Sequence, residues 1–264
     1  MSFKDAKKGE TLAVVNVVRT ARVSPNFVRV TVGGDQLAAI EKKGFDHWFR
    51  LFLPKEEGET SFNLPNRADL VGYLKFLRMP EATRPHLRNY TVREFRPEQL
   101  ELDIDFVVHG DEGIATRWAT RTQPGDTVAL LDQGQGFDHD PTAEHQLLVA
   151  DETGLPAVLG ILRDLPRDAR GTAFIEIPHA DDAQQTAAPD GFEVRWLVRD
   201  EGVRPGIPAL EAVKGWTPPT ASLRAYIVGE QALPTGARRW LVNELGVPKK
   251  AIQFVGYWRM GHAH

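Results

Sequence analysis

The sequence predicts two domains of different class: a six-stranded antiparallel β-barrel over residues 1–140, followed by a Rossmann-like parallel α/β domain over residues 141–264. Three observations predict this. A chain of 264 residues is comfortable for two domains. The first half carries strands with two-residue alternation, clearest in Leu100-Glu-Leu-Asp-Ile-Asp-Phe106. After Asp138–Glu144 the rhythm changes to short apolar strands separated by helical spacing, the mark of a parallel sheet covered on both faces.

The barrel strands are expected at Thr11–Val18, Phe27–Val32, Trp48–Leu53, Arg88–Phe95, Gln99–Val108 and Thr127–Leu131. Antiparallel strands in such a series close most economically into a small barrel. One helix, Ile114–Arg121, interrupts them. In the second half, strands are expected at Gln146–Ala150, Thr172–Ile177, Phe192–Val198, Arg224–Val228 and Ala251–Val255. Helices are expected at Leu155–Leu165, Pro208–Val213 and Thr235–Leu245. There is no internal repeat and no low-complexity segment.

Composition narrows the function classes. Apolar residues make up 42% and charged residues 26%, which gives a core to bury and no case for disorder. Cysteine is absent, so disulfides, thiolate metal sites, iron–sulfur clusters and a cysteine nucleophile are excluded. Redox chemistry must therefore come from a bound cofactor. The first residues lack the apolar stretch of a signal peptide, and no run approaches the ~18 apolar residues of a membrane span. A cytoplasmic, monomeric protein is expected. The net charge of −4 gives no reason to expect nucleic acid or membrane as a partner. Charge is nevertheless unevenly placed: Arg78, Arg84, His86, Arg88, Arg93 and Arg96 stand against only Glu81 and Glu94. Such a concentration suits an anion or a solvated strand edge.

Within it lies Arg88-Asn89-Tyr90-Thr91. On a strand, Arg88 and Tyr90 share one face and Thr91 turns to the other. Arg88 can grip a phosphate with two charge-assisted hydrogen bonds. Tyr90 offers a flat surface with a polar tip, and Thr91 a hydroxyl and a backbone N–H. The helix at Ile114–Arg121 presents free N–H groups at its start, which suit a pyrophosphate. Between strand and helix in the second half stands Asp151-Glu-Thr-Gly-Leu-Pro156, with no Gly-x-Gly-x-x-Gly. The position at a strand's carboxyl end suits a dinucleotide. Thr153 can cap the helix, and Pro156 suits its first turn. Gly229 and Glu230 follow the next strand at the same edge. The histidines show no metal-like spacing, and no metal site is expected.

Four segments in order carry a family resemblance: Arg88–Thr91, then Asp105-Phe-Val-Val-His-Gly110 with Gly113-Ile-Ala-Thr-Arg-Trp-Ala119, then Ala150–Ala157, and last Gly256-Tyr-Trp-Arg-Met-Gly261. From Asp46 to Gly261 the chain resembles the siderophore-interacting proteins, or ferric-siderophore reductases, a branch of the ferredoxin-NADP reductase superfamily. The resemblance implies FAD bound by the barrel, with Arg88, Tyr90, Thr91, Asp105, Val107 and His109 as contacts and Thr91 near the flavin ring. It places the pyrophosphate near Gly113, Ala115 and Thr116. It implies NADPH or NADH at the α/β domain, with Asp151, Thr153, Gly229 and Glu230 at the nicotinamide end. Arg50 and Arg259 are directed to a ferric siderophore at the open flavin face. No side chain acts as acid or base, because electrons pass through the flavin.

Other readings are a flavin reductase with a different acceptor and a non-catalytic ferric-siderophore binder. The turn Pro178-His-Ala-Asp-Asp182 is acidic where a 2′-phosphate wants arginine, and Arg195 and Arg199 are the residues that could compensate. The lack of a helical extension beyond Gly261 resembles the NADPH-using branch. One departure stands out: Asp132-Gln-Gly-Gln-Gly-Phe137 replaces the family's Gly-Pro-Arg-Gly-Ser-like turn, and its arginine is gone.

Overall fold

The computed structural model describes residues 11–66, 69–108 and 113–261. The chain divides into two compact units between Gly136 and Phe137.

The first unit is an antiparallel sheet of seven strands: β1 (Leu12–Ser24), β2 (Phe27–Gly33), β3 (Trp48–Leu53), β4 (His86–Thr91), β5 (Glu94–Arg96), β6 (Glu101–Val107) and β7 (Thr127–Gly134). Their order is β4-β3-β7-β1-β2-β6-β5. The stretch expected as one strand, Arg88–Phe95, is two. Its first part pairs with β3 and its last part with β6, and only Val92 and Arg93 lie between. A two-residue link spans at most about 10 Å. The two ends of the sheet are therefore drawn together, and Tyr90 of β4 lies 4.4 Å from Phe106 of β6, ring to ring.

The alternation in β6 sorts its side chains as expected. Leu102, Ile104 and Phe106 enter the core with Val30, Val32, Leu51 and Phe95. The opposite face is covered too. Asp103 pairs with Arg96 at 2.7 Å and accepts the Thr31 hydroxyl at 2.7 Å, and Asp105 pairs with Arg29 at 2.6 Å. Polar groups on that face escape water only because each has a partner.

Two helices accompany this sheet, one more than expected. α1 (Leu70–Leu77) was not anticipated. Asp69 caps it by accepting the Gly72 N–H at 2.9 Å. Phe76 buries against Phe52, rings 5.5 Å apart, whereas Leu70, Tyr73, Leu74 and Leu77 remain exposed. α2 covers Ile114–Arg121, as expected.

The second unit is a five-stranded parallel sheet of β8 (His145–Ala150), β9 (Arg170–Ile177), β10 (Gly191–Val198), β11 (Leu223–Glu230) and β12 (Ile252–Trp258), in the order β10-β9-β8-β11-β12. α3 (Leu155–Asp164) buries Leu155–Leu162 without a break. α4 (Ile207–Gly215) and α5 (Ala232–Asn243) pack on Leu147, Val149, Phe174 and Ile227. Between β9 and β10 there is a single helical turn, Ala180–Asp182, in place of a full helix. The chain moves one way from β8 and the other way from β11, so the topological switch lies between these neighbours. Open α/β sheets bind ligands in the crevice at that point. No helix among the described residues is long and apolar enough to cross a membrane.

Candidate functional site

In the first unit, strand register assigns the faces of the Arg88–Thr91 segment. Arg88 lies opposite Leu51 and Tyr90 opposite Phe49, both core residues. Thr91 lies opposite Trp48, and Asn89 opposite Arg50, on the other face. Arg88 and Tyr90 therefore share the inner face, as alternation predicts. Thr91 and Arg50 share the outer one. Thr91 is buried, at 8% exposure.

A chain of aromatic rings joins β4 to α2. Phe106, already against Tyr90, lies 5.5 Å from Trp118. Thr116 Oγ1 donates to the Val107 carbonyl at 3.3 Å, fixing the start of α2 beside the end of β6. Gly113 is the N-cap, with φ of 102° and no capping side chain. A glycine is required by that backbone angle, and among the described residues no side chain caps the first N–H groups of α2. Trp118 Nε1 is buried and has no hydrogen-bond partner among the described residues.

The electrostatics of this edge are cationic. The His86 imidazole is held below its usual range by burial first, and then by Lys55, Arg88 and Arg117, with Glu56 opposing them. Burial pushes the Tyr90 phenol well up, with Arg88 opposing it. Arg50 is half-buried; burial lowers its proton affinity and Tyr73 of α1 works against that. Arg50, Phe52, Pro65, Tyr73, Phe76 and Leu87 line one small depression. The segment expected as a turn begins inside β7, whose last residues are Asp132, Gln133 and Gly134, and it is tied to the stretch before β3. Asp132 meets His47 at 2.7 Å and Lys43 at 3.1 Å and accepts the Gly134 N–H at 2.9 Å.

In the second unit, Asp151, Thr153, Gly229 and Glu230 converge at the switch point. Asp151 Oδ1 accepts the Thr153 N–H at 2.9 Å and the Thr153 hydroxyl at 2.5 Å. Asp151 Oδ2 accepts the Glu230 N–H at 2.6 Å and Trp258 Nε1 at 3.2 Å. Gly229 has φ of 128°, and a Cβ there would stand 2.6 Å from the Asp151 carboxyl carbon. Burial, and then Glu152, raises Asp151 to about 6. Glu230 is held below its usual range: burial pushes it up, but the Ala232 N–H, Arg204 and the Met260 N–H outweigh that.

Three expectations are corrected here. Thr153 does not cap α3, whose N-cap is Gly154; its hydroxyl is turned back to Asp151. Arg199 is not available for a 2′-phosphate, because it bridges Glu152 at 2.8 Å and Glu176 at 2.6 Å in the interior. The Asp105 carboxylate is committed to Arg29, with Arg93 at 3.5 Å, and offers no free ligand group. The carboxylates of Asp151 and Glu230 are likewise fully buried and satisfied from within. Arg195 is paired with Glu193 at 2.7 Å on the surface. His109 lies outside the described residues. Arg259 follows β12 and is exposed.

Comparison with known proteins fits this arrangement. Residues 16–136 match the siderophore-interacting FAD-binding domain, and residues 143–261 match the siderophore-interacting protein model. The chain is 30% identical over 250 residues to the ferric vibriobactin reductase ViuB of Vibrio cholerae, covering 94% of this chain and 89% of that protein. It belongs to the siderophore-interacting protein family.

A further relative is the NADPH-dependent ferric-chelate reductase of Escherichia coli, 31% identical over 190 residues, covering 71% of each chain. The crystal structure of a siderophore utilization protein from T. fusca superposes with a TM-score of 0.80 at 34% identity, covering 97% of this chain and 96% of that one. The first unit of this siderophore-interacting protein is thus an FAD-binding domain. Its residues fit the cofactor: no described side chain caps the start of α2, the buried indole N–H of Trp118 has no partner among the described residues, and Lys55 and Arg88 add positive charge around His86, where Arg117 is already paired with Glu56. Sequence reasoning missed Lys55, Tyr73, Arg117 and Trp118. The Asp69 cap before an apolar run was the one signal that could have located α1, and with it Tyr73.

Proposed function

We propose that this chain is an FAD-dependent, NAD(P)H-consuming ferric-siderophore reductase. The observation that carries the reading is the inner face of β4. Arg88 and Tyr90 share it, and Tyr90 is linked to α2 through Phe106 and Trp118, inside a siderophore-interacting FAD-binding domain. Arg88 would hold the FAD phosphates, the Gly113, Ala115 and Thr116 backbone would receive the pyrophosphate, and Tyr90 would support the ribityl chain or ring. Thr91 would reach the ring's polar edge from the opposite face. Bound FAD supplies two-electron uptake from NAD(P)H and delivery of single electrons to ferric iron.

What the chain itself contributes is orientation and charge. No group is called on to move a proton. Arg50 and Arg259 attract a siderophore whose chelate is anionic, against the protein's own net charge of −4. Iron reduced to the ferrous state is held less tightly by oxygen chelators as its charge falls, and it leaves. At the second unit the nicotinamide donor is received by backbone at the β8 and β11 ends, since the carboxylates there are already engaged.

The test is anaerobic. NADPH or NADH should bleach the bound flavin, and a ferric chelate should restore its colour with ferrous iron captured by a chromogenic chelator. A flavin that stays oxidised with both donors would favour the non-catalytic binder. Bleaching with no response to any ferric chelate would favour a different acceptor. Replacing Arg50 or Arg259 by Ala should raise KM for an anionic chelate more than it lowers kcat. It should leave a neutral hydroxamate chelate little changed. Equal losses on both chelates would remove these arginines from the site.

A further inference from the structure

Both chain neighbours of Arg259 are fastened to buried carboxylates. Trp258 donates its indole N–H to Asp151 Oδ2 at 3.2 Å, and its carbonyl accepts the Gln231 N–H at 2.9 Å. Met260 donates its backbone N–H to Glu230 Oε1 at 3.2 Å. The two carboxylates are themselves coupled, through the Glu230 N–H on Asp151 at 2.6 Å. Glu230 is further fixed by Arg204 at 2.7 Å and by the Ala232 N–H at 2.7 Å. The Arg259 side chain, between these anchors, is exposed.

This pattern distinguishes the pair from ligand groups. Each Asp151 oxygen already accepts two hydrogen bonds, which uses the capacity of a carboxylate. Its space is taken as well, since Gly229 has room for no side chain against it. A backbone held one residue before and one residue after an arginine leaves that arginine only its own rotamers. Fixing a cation before the ligand arrives removes an ordering cost from binding.

We infer that Asp151 and Glu230 are positioning residues that latch the C-terminal segment so that Arg259 is presented ready for an anionic ferric chelate. The inference rests on the reading of Arg259 as a substrate contact. It gives two buried carboxylates at the dinucleotide edge a part in substrate recognition.

The experiment uses the full-length, FAD-loaded chain and two redox-inert probes, the anionic gallium(III) tris-catecholate and the neutral gallium(III) tris-acetohydroxamate. Arg259→Ala should weaken catecholate binding by about tenfold or more, the loss of a contact made by a charged group. Asp151→Asn and Trp258→Phe should each weaken it by about three- to tenfold, by analogy with one hydrogen bond. On the Arg259→Ala background neither should add anything, because both act through the residue already removed. Hydroxamate binding should not change. Trp258→Phe keeps the ring and loses only the donor, so it carries the test if Asp151→Asn does not fold. Hydrogen exchange of the peptide spanning residues 252–264 should quicken in both variants without any chelate present. Effects that multiply with Arg259→Ala, equal losses on both probes, or unchanged exchange would overturn the latch. A wild-type chain that binds neither probe would overturn the functional reading instead, and unchanged variant binding beside normal wild-type binding would overturn only the positioning role.

Discussion

Around His86 in the first unit three cations, Lys55, Arg88 and Arg117, stand against one carboxylate, Glu56, which pairs with Arg117. At the carboxyl edge of the second unit stand the carboxylates Asp151, Glu152, Glu176 and Glu230, all fully buried. The two regions differ in what has been done with the charge. Arg199 bridges Glu152 and Glu176, Arg204 meets Glu230, and neutral donors occupy Asp151. Buried charge survives only when it is paired and hydrogen-bonded, so these ions are scaffold. In the first unit one carboxylate, Glu56, answers three cations, and among the described residues no side chain caps the start of α2 and none meets the Trp118 indole N–H. A count of charges therefore misleads; which charges still lack a counterpart separates a binding edge from a structural one.

Breaking the scaffold should have the largest effect. Arg199→Ala would strand two buried carboxylates and cost about 3–5 kcal/mol of stability, read as a lower urea midpoint for the second unit. A stable variant that instead shifts the preference between NADPH and NADH would return Arg199 to the ligand class. Arg88→Ala should leave stability of the FAD-free chain unchanged but weaken FAD by about 2 kcal/mol, roughly thirtyfold, measured by flavin titration. Unaltered FAD affinity would move the phosphate site elsewhere.

Asp151 sharpens the comparison through pH. Its folded form keeps a proton up to about 6, because burial and then Glu152 disfavour its charge. The unfolded chain loses that proton near 3.9. The native state thus binds more protons between these values, and this group makes stability fall as pH rises from about 4 to 6. Asp151→Asn should flatten that part of the urea midpoint profile. A profile with unchanged slope would mean that the carboxylate is charged throughout. Smallest is Thr91→Val, which should retain FAD and shift only its reduction potential or its rate of reduction by NAD(P)H. Identical values for both would place the hydroxyl away from the ring.

Much of this was legible in the sequence, for stated reasons. Two-residue alternation put Leu102, Ile104 and Phe106 in the core and set Arg88 and Tyr90 apart from Thr91. The break at Val92–Arg93 was written there too and overlooked. Val92 keeps step with Tyr90, but the next core residue is Phe95, three positions on, and an unbroken strand cannot turn both inward. α1 was missed because Leu70-Val-Gly-Tyr-Leu-Lys-Phe-Leu77 is apolar on nearly every side, and without a polar face a helical period does not stand out. The roles of Asp151 and Glu152 were not legible in the sequence. Their partners lie far along the chain, at Glu230, Trp258 and Arg199, and no local pattern announces them.

The short link between β4 and β5 fixes a length as well as a shape. These strands stand at opposite ends of the first sheet's order, yet only Val92 and Arg93 separate them in the chain. An extra residue there would slacken the girth of the curled sheet and let Tyr90 slide off Phe106. The joint between β1 and β2, Pro25 and Asn26, is equally short but links neighbouring strands, whereas the β4–β5 joint ties the two ends of the sheet order. Cutting it and rejoining the chain ends elsewhere would turn a curled sheet into an open one with the same ladder of strands.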